Sequence, residues 1–164
     1  MSEILLKPIG VVRSPFSKVE GMPIQASAAN GVKGSIELKP EYMEGLKDID
    51  GFSHLILIYH FHRCAGYSLH VTPFLDQTPH GVFATRVPRR PNGIGLSIVR
   101  LIGISENLLE IEDVDILDQT PLLDIKPFVP EFDHRDAQRT GWFTDNARRA
   151  AEVRADGRFS QKPD

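Results

Sequence analysis

The stretch IGLSIVRLIGISENLLEIEDVDIL, residues 94–117, decides the fold class. Two apolar runs flank the turn residues Glu106-Asn107, and neither carries the period of an amphipathic helix. The same texture continues on both sides. HLILIYHFH (54–62) reads as the strongest strand of the chain, with HGVFATR (80–86) and PLLDIKPFV (121–129) as further strands. Turn signals at Pro91-Asn92-Gly93 and Asp118-Gln119-Thr120-Pro121 separate these runs. No helical segment lies between HGVFATR and DIKPFV, so the βαβ alternation of a doubly wound sheet is missing. The expected fold is mainly β, an antiparallel barrel or sandwich.

KPIGVVRSPF and GSIEL add strands near the start, and PEYMEGLKDIDGF suggests one or two helical turns opened by Pro40 and stopped by Gly45 and Gly51. TDNARRAAEVRADG (144–157) is the one good helix candidate, with Thr144 as N-cap and Gly157 as stop. The chain thus reads as one β-rich domain over residues 1–134, followed by a helical tail over 135–164 that is not a separate domain.

The 164 residues suffice for a sizeable core, and the single cysteine, Cys64, excludes an internal disulfide. The start MSEILLKPIG resembles no signal peptide, and no apolar run is long enough to span a membrane, so a cytoplasmic protein is expected. A net charge of −3 argues against non-specific coating of nucleic acid. It leaves room for a local basic patch, because Arg86, Arg89 and Arg90 cluster while the acids concentrate through Glu106–Asp118.

Three constellations invite chemistry. On HLILIYHFH, alternation puts His54, Ile56, Ile58, His60 and His62 on one face and Leu55, Leu57, Tyr59 and Phe61 on the other. His60 and His62 have the spacing of a metal pair, with His70 and His80 as further ligands, but the glutamate that completes a cupin site is absent. In RRPNGIGLS (89–97), Gly93-Ile94-Gly95 lacks the third glycine of a dinucleotide loop, whose place Ile98 takes, and it runs into a strand instead of a helix. Gly95 then marks a close backbone approach, to another strand or to a ligand. Asp124, inside the apolar run LLDI, must be ion-paired or functional.

Together IGVVRSPF, GFSHLILIYHFH, GVFATRVPRRPNGIGLSIVRL and LDQTPLLDIKPFVPEFD, in that order, resemble the TsaA-like (YaeB-like) family over about residues 4–133. That family includes tRNA N6-threonylcarbamoyladenosine methyltransferases that use S-adenosylmethionine. The resemblance implies a small closed β-barrel with short helical segments, working as a homodimer with the cofactor near the subunit interface. It also implies tRNA as partner and no metal. Cofactor contacts carry over to Gln25, Ala26, Ser27 and Ala28, to His62 and Arg63, to Arg86 and Leu96, and to Glu112, Asp113, Val114 and Asp115. Two positions depart from the family's habit. Ala26-Ser27 replace a usual Pro-Gly, and Gly93 replaces a proline that would preset the turn.

The chemistry suits these placements. Arg86 can fork onto the cofactor carboxylate, Asp115 can accept from its ammonium or ribose, and Leu96 can pack on adenine. Arg89, Arg90 and Asn92 are expected to face the RNA, the arginines on its phosphates. His62 is the candidate base for a urea-type nitrogen whose lone pair is delocalised. Two alternatives stand beside this reading: a cofactor-binding protein or methyltransferase with a different substrate, and a metal-dependent barrel enzyme using His60 and His62.

Overall fold

A computed structural model describes residues 3–160 of the chain. Among the described residues eight strands form: β1 (Gly10–Arg13), β2 (Lys33–Leu38), β3 (His54–His60), β4 (His70–Val71), β5 (His80–Gly81), β6 (Ile94–Ser105), β7 (Leu108–Glu112) and β8 (Thr120–Pro127). Six of them make one antiparallel sheet in the order β1-β2-β7-β6-β3-β8. β8 pairs back onto β1, with Gly10 opposite Leu122 and Val12 opposite Thr120, so the sheet closes on itself. Closure leaves this six-stranded sheet without an edge strand to recruit another chain. β4 and β5 form a separate two-stranded ribbon beside it.

Alternation decides what fills the interior. Leu55, Leu57 and Tyr59 of β3 point inward, and Val12, Ile36, Val99, Leu109, Ile111 and Leu122 meet them from the other strands. The opposite row of β3, with His54 and His60, faces outward. A ring of six strands is narrow enough for such side chains to fill it completely, so the barrel is a core and not a channel. The ladder is irregular where the cleft described below begins. Between Ile58 and Tyr59 the register against β8 shifts, a bulge that lets the end of β3 lean away.

Several expectations are corrected. HGVFATR is a strand only at His80–Gly81; Val82–Ala84 turn as a 3-10 helix, and Thr85 caps that turn by donating to Val82 O. The strand through LLEIEDVDIL stops at Glu112 because Asp113 adopts φ 65°. The Asp113 carboxylate there accepts the Gly31 N–H at 2.8 Å. Asp113 and Asp115 therefore share no strand face.

Pro40–Leu46 and Ile49–Gly51 are two 3-10 turns with Pro40 in the first position, but Gly45 lies inside a turn and stops nothing. The C-terminal helix shrinks to α2 (Phe143–Asn146) followed by a 3-10 turn over Ala147–Ala151, after a short α1 at Pro130–Asp133. Thr144 is not its N-cap; its hydroxyl donates to Gly141 O within the preceding turn. The helix ends early because the tail's backbone pairs elsewhere. Ala155 N–H donates to Met22 O at 2.9 Å and Gly21 N–H to Ala155 O at 2.7 Å. Gly157, expected as the stop, lies in a later turn at φ 81° against Glu20. No helix among the described residues is long and apolar enough to cross a membrane.

Candidate functional site

A cleft of about 390 Å³ opens where β3 ends and β6 begins, within the range that small-ligand sites occupy. The loop through Val19–Gln25, the segment 85–90 and the start of β6 border it. Its walls are largely apolar, with Tyr59, Phe61 and Leu96 among them, and its polar groups are few and close together.

At its floor lies a buried polar chain. Ser97 Oγ donates to Asp115 Oδ1 at 2.6 Å. That uses the single hydroxyl proton of Ser97, so the Tyr59 hydroxyl, 3.0 Å away, donates to Ser97 Oγ. Burial pushes the Asp115 carboxyl up from 3.8 to about 6, while the Ser97 hydrogen bond and the Arg86 charge pull it back down. Burial and the Asp115 charge raise the Tyr59 phenol well above its usual value, so it stays a donor. Arg86 reaches the same wall, its Nη1 donating to Gln25 Oε1 at 3.2 Å.

Gly95 makes this possible. A β-carbon there would stand 2.2 Å from Tyr59 Cε2 and 2.9 Å from Phe61 Cζ, so both rings lie directly on the glycine backbone. The close approach expected at Gly95 is thus to a neighbouring strand. Gly93 sits at φ 27° and donates its N–H to Arg90 O. A proline could reach neither that angle nor that bond, so the departure at Gly93 changes the turn itself.

A smaller chamber of about 110 Å³ adjoins the cleft across Tyr59, Phe61 and Asp115 and holds His62, Arg63, Cys64 and Thr120. Burial, then the charges of Arg63 and His60, lower the His62 pKa and keep the ring neutral at physiological pH. Thr120 Oγ1 gives its proton to Leu117 O at 2.7 Å and lies 3.4 Å from His62 Nδ1. The ring therefore carries its proton on Nδ1, and Nε2 is left as a buried acceptor with no hydrogen bond among the described residues.

Of the positions expected to contact the cofactor, Gln25, Arg86, Leu96 and Asp115 come together in the cleft, and His62 and Arg63 line the chamber next to it. Ala26, Ser27 and Ala28 form a 3-10 turn just beyond Gln25 and do not border either space. Glu112 lies 3.8 Å from Arg100, Asp113 clasps Gly31 and Val114 is fully buried in the core, so none of the three lines the cleft.

The arginines separate. Arg90 Nη1 donates to Val82 O at 3.1 Å and Thr85 O at 2.9 Å, tying the loop together from within. Arg89 is half-buried and hydrogen-bonds the Cys64 side chain, whose thiol burial pushes up. Asn92 is exposed in the turn, outside the cleft. Asp124 pairs with Lys126 Nζ at 2.8 Å on the surface, which makes it a structural partner. His80 is engaged by Asp76 at 2.9 Å. Among the described residues, no three His, Cys, Asp or Glu side chains converge as a metal site.

Sequence reasoning missed Tyr59, Ser97, the loop Val19–Ile24 and the aromatic pair Trp142-Phe143, all of which border or underlie the cleft. Ser97 did leave a signal, a lone hydroxyl in the inward row between Gly95 and Val99, legible only once the register of β6 against β3 is known.

This is a small-ligand cleft on a mainly-β scaffold, with an acid, an arginine and an amide on one wall and rings on the others. The chain belongs to the family described as tRNA-methyltransferase O N-terminal domain, whose model matches residues 11–134. It is 56% identical over 95% of its length to a probable S-adenosyl-L-methionine-binding protein of Pyrococcus abyssi, of which it covers 85%. It is 32% identical to the tRNA (adenine(37)-N6)-methyltransferase of Mus musculus, aligned over 94% of this chain and 37% of that one. The crystal structure of TrmO from Pseudomonas aeruginosa superposes with a TM-score of 0.72 at 37% identity, covering 86% of this chain and 63% of that chain. The chain thus spans under two thirds of these two longer relatives.

Proposed function

We propose that the protein is an S-adenosyl-L-methionine-dependent methyltransferase acting on N6 of threonylcarbamoyladenosine beside the anticodon of tRNA. The observation that carries this reading is the convergence of Gln25, Arg86, Leu96 and Asp115 on one apolar cleft in a chain of this family. The residues present fit the cofactor. It carries a cation, a carboxylate and a flat base, and the cleft offers a buried acid, an arginine and apolar surface for them. When bound, it supplies an electrophilic methyl group on a sulfonium.

Asp115 accepts from the ammonium or ribose hydroxyls, and Ser97 and Tyr59 fix the direction of its carboxylate. Arg86, steadied by Gln25, pairs with the cofactor's carboxylate. Methyl transfer is an in-line displacement, so most of the acceleration comes from alignment. The urea-type nitrogen must shed its proton as it attacks, and the neutral His62 ring, with Nε2 free to accept, takes it across the adjoining chamber. Arg63, exposed at the chamber, meets the RNA backbone, and Asn92 reaches it from the turn. Arg89 and Arg90 shape the loop that presents them.

A second copy of the chain completes the working unit. Ile94, Leu96 and Ile98 lie exposed on the outer face of β6, at 40%, 59% and 37% of full accessibility. Ile58 and Ile56 stand opposite Leu96 and Ile98 on β3, extending the apolar strip. Such a strip marks a contact surface, and since Leu96 also borders the cleft, a two-fold partner seated there lies beside the cofactor. A tRNA-modifying dimer of this kind works in the cytoplasm. Residues 3–134 carry the barrel, and the tail over 135–160 packs on it as part of the same domain.

Nucleoside mass spectrometry of tRNA incubated with protein and S-adenosylmethionine tests this reading. Methylated threonylcarbamoyladenosine is the expected product. Cofactor binding with no such product would leave the chain as a cofactor-binding protein with another substrate.

A further inference from the structure

One wall of the cleft lies outside the family match. Trp142 and Phe143 follow residues 11–134, yet both border the cleft beside Thr85 and Arg86. They are the inner end of a fixed column of rings. Asp76 Oδ2 holds His80 Nε2 at 2.9 Å, and the His80 ring stacks on Trp142 with centroids 4.6 Å apart and planes 14° apart. Trp142 in turn stacks on Phe143 at 3.9 Å and 28°. The Trp142 Nε1–H donates to Ala84 O at 2.8 Å, which ties the column to the turn that presents Thr85 and Arg86.

The tail has a different ring for sealing the fold. Phe159 is 5% exposed and packs edge-on against Phe74, with Val71, Val82 and Val87 around it. Trp142 and Phe143, by contrast, remain half-exposed at the cleft. Flat apolar surface held rigid and left partly wet is well suited to covering by another flat ring. The complementary ligand is a flat aromatic ring, and in a chain of this family a nucleobase fits it.

We propose that Phe143, backed by Trp142, forms the platform on which the purine ring of the target nucleoside stacks, so that the tail holds the base entering the cleft. This rests on the methyltransferase reading above. Methyl transfer must hold two ligands face to face, and the cleft has two unlike walls. Gln25, Arg86 and Asp115 supply the polar wall for the cofactor, and the ring column supplies the flat wall for the acceptor base. Stacking tolerates many bases, so the platform provides entry and affinity, and it leaves the choice of reacting atom to the polar wall.

Trp142 is the only tryptophan in the chain, so its fluorescence reports on this wall alone. The protein is first saturated with S-adenosylhomocysteine, then titrated with an anticodon stem-loop RNA carrying N6-threonylcarbamoyladenosine. The emission should quench on adding the RNA and change little on adding S-adenosylhomocysteine. In turnover, Phe143→Ala should raise KM for tRNA about tenfold, with kcat and cofactor affinity near those of the parent. Phe143→Tyr should restore KM, while Phe143→Leu, which keeps apolar bulk without a ring, should not.

Quenching by S-adenosylhomocysteine alone, an equal loss of cofactor affinity in Phe143→Ala, or a Phe143→Leu protein with parental KM would each overturn the platform. An active parent protein whose Trp142 emission ignores the RNA would overturn the platform and leave the methyltransferase reading standing. A parent protein that methylates no tRNA would sink the reading on which the platform depends.

Discussion

The middle of the barrel and the cleft where β3 ends are built on the same strands by opposite rules. Inside, Leu55, Leu57, Val99 and Leu122 are wholly buried and apolar, and they need only fill space. Near the end of β3 and the start of β6, Tyr59 and Ser97 meet Asp115 from the segment between β7 and β8, and their buried polar atoms must satisfy one another. The first region is cheap to specify and sets stability. The second costs stability and sets chemistry, a division common in proteins that hold a charged group in an apolar site.

The largest expected effect separates the two regions. Leu57→Ala empties a fully buried site at the centre of the barrel and should cost roughly 2–5 kcal/mol in chemical denaturation, with cofactor affinity preserved in the folded fraction. A loss of affinity without a loss of stability would mean that the core and the cleft are not independent.

The opposite sign is expected at Asp115. Its folded pKa, about 6, lies above the unfolded value of 3.8. The folded state therefore holds a proton that the unfolded state releases between these two pH values, and stability falls as pH rises through that window. Above about pH 6 the cost persists in full. Asp115→Asn keeps the shape and an acceptor for Ser97 without the charge, so at pH 7 it should gain roughly 2–3 kcal/mol in denaturation. Below pH 4 the gain should vanish. Unchanged stability at pH 7 would show that the carboxylate is better solvated than its surroundings suggest.

The smallest effects test the split among the arginines. Arg90→Ala removes donors from two loop carbonyls and should cost about 1–2 kcal/mol of stability. Arg86→Ala should barely move stability, since its guanidinium is exposed, yet it should weaken S-adenosylmethionine binding more than Arg89→Ala or Arg90→Ala. Calorimetric titration of the three variants checks this ranking, and the reverse order would break it.

Much of this was legible in the sequence for a physical reason. Alternation along HLILIYHFH and IGLSIVRLIGIS reports burial directly, so the mainly-β class followed from residue order alone. What alternation cannot report is where a ladder stops. The strand after Leu108 ends at Asp113 because a residue on the remote loop at Gly31 binds its carboxylate. The expected helix after Thr144 is cut short because Ala155 pairs with Met22 instead. Both depend on partners far away along the chain.

The site followed the same division. Gln25, Arg86, Leu96 and Asp115 carried recognisable motif positions and converged. Ser97 and Tyr59 look like ordinary strand residues until the register brings them to Asp115. Arg90, clustered with two other arginines, suggested an anion contact, whereas its bonds run inward to the loop.

In the proposed function, the cleft holds S-adenosylmethionine through the carboxylate of Asp115. The most direct test is the cofactor's dissociation constant, measured by calorimetry from pH 5 to 8 in the parent protein and in Asp115→Asn. Parental affinity should rise as pH passes through about 6, where Asp115 becomes charged, and the Asn variant should bind more weakly with no such rise. Identical pH profiles and affinities in the two proteins would contradict it.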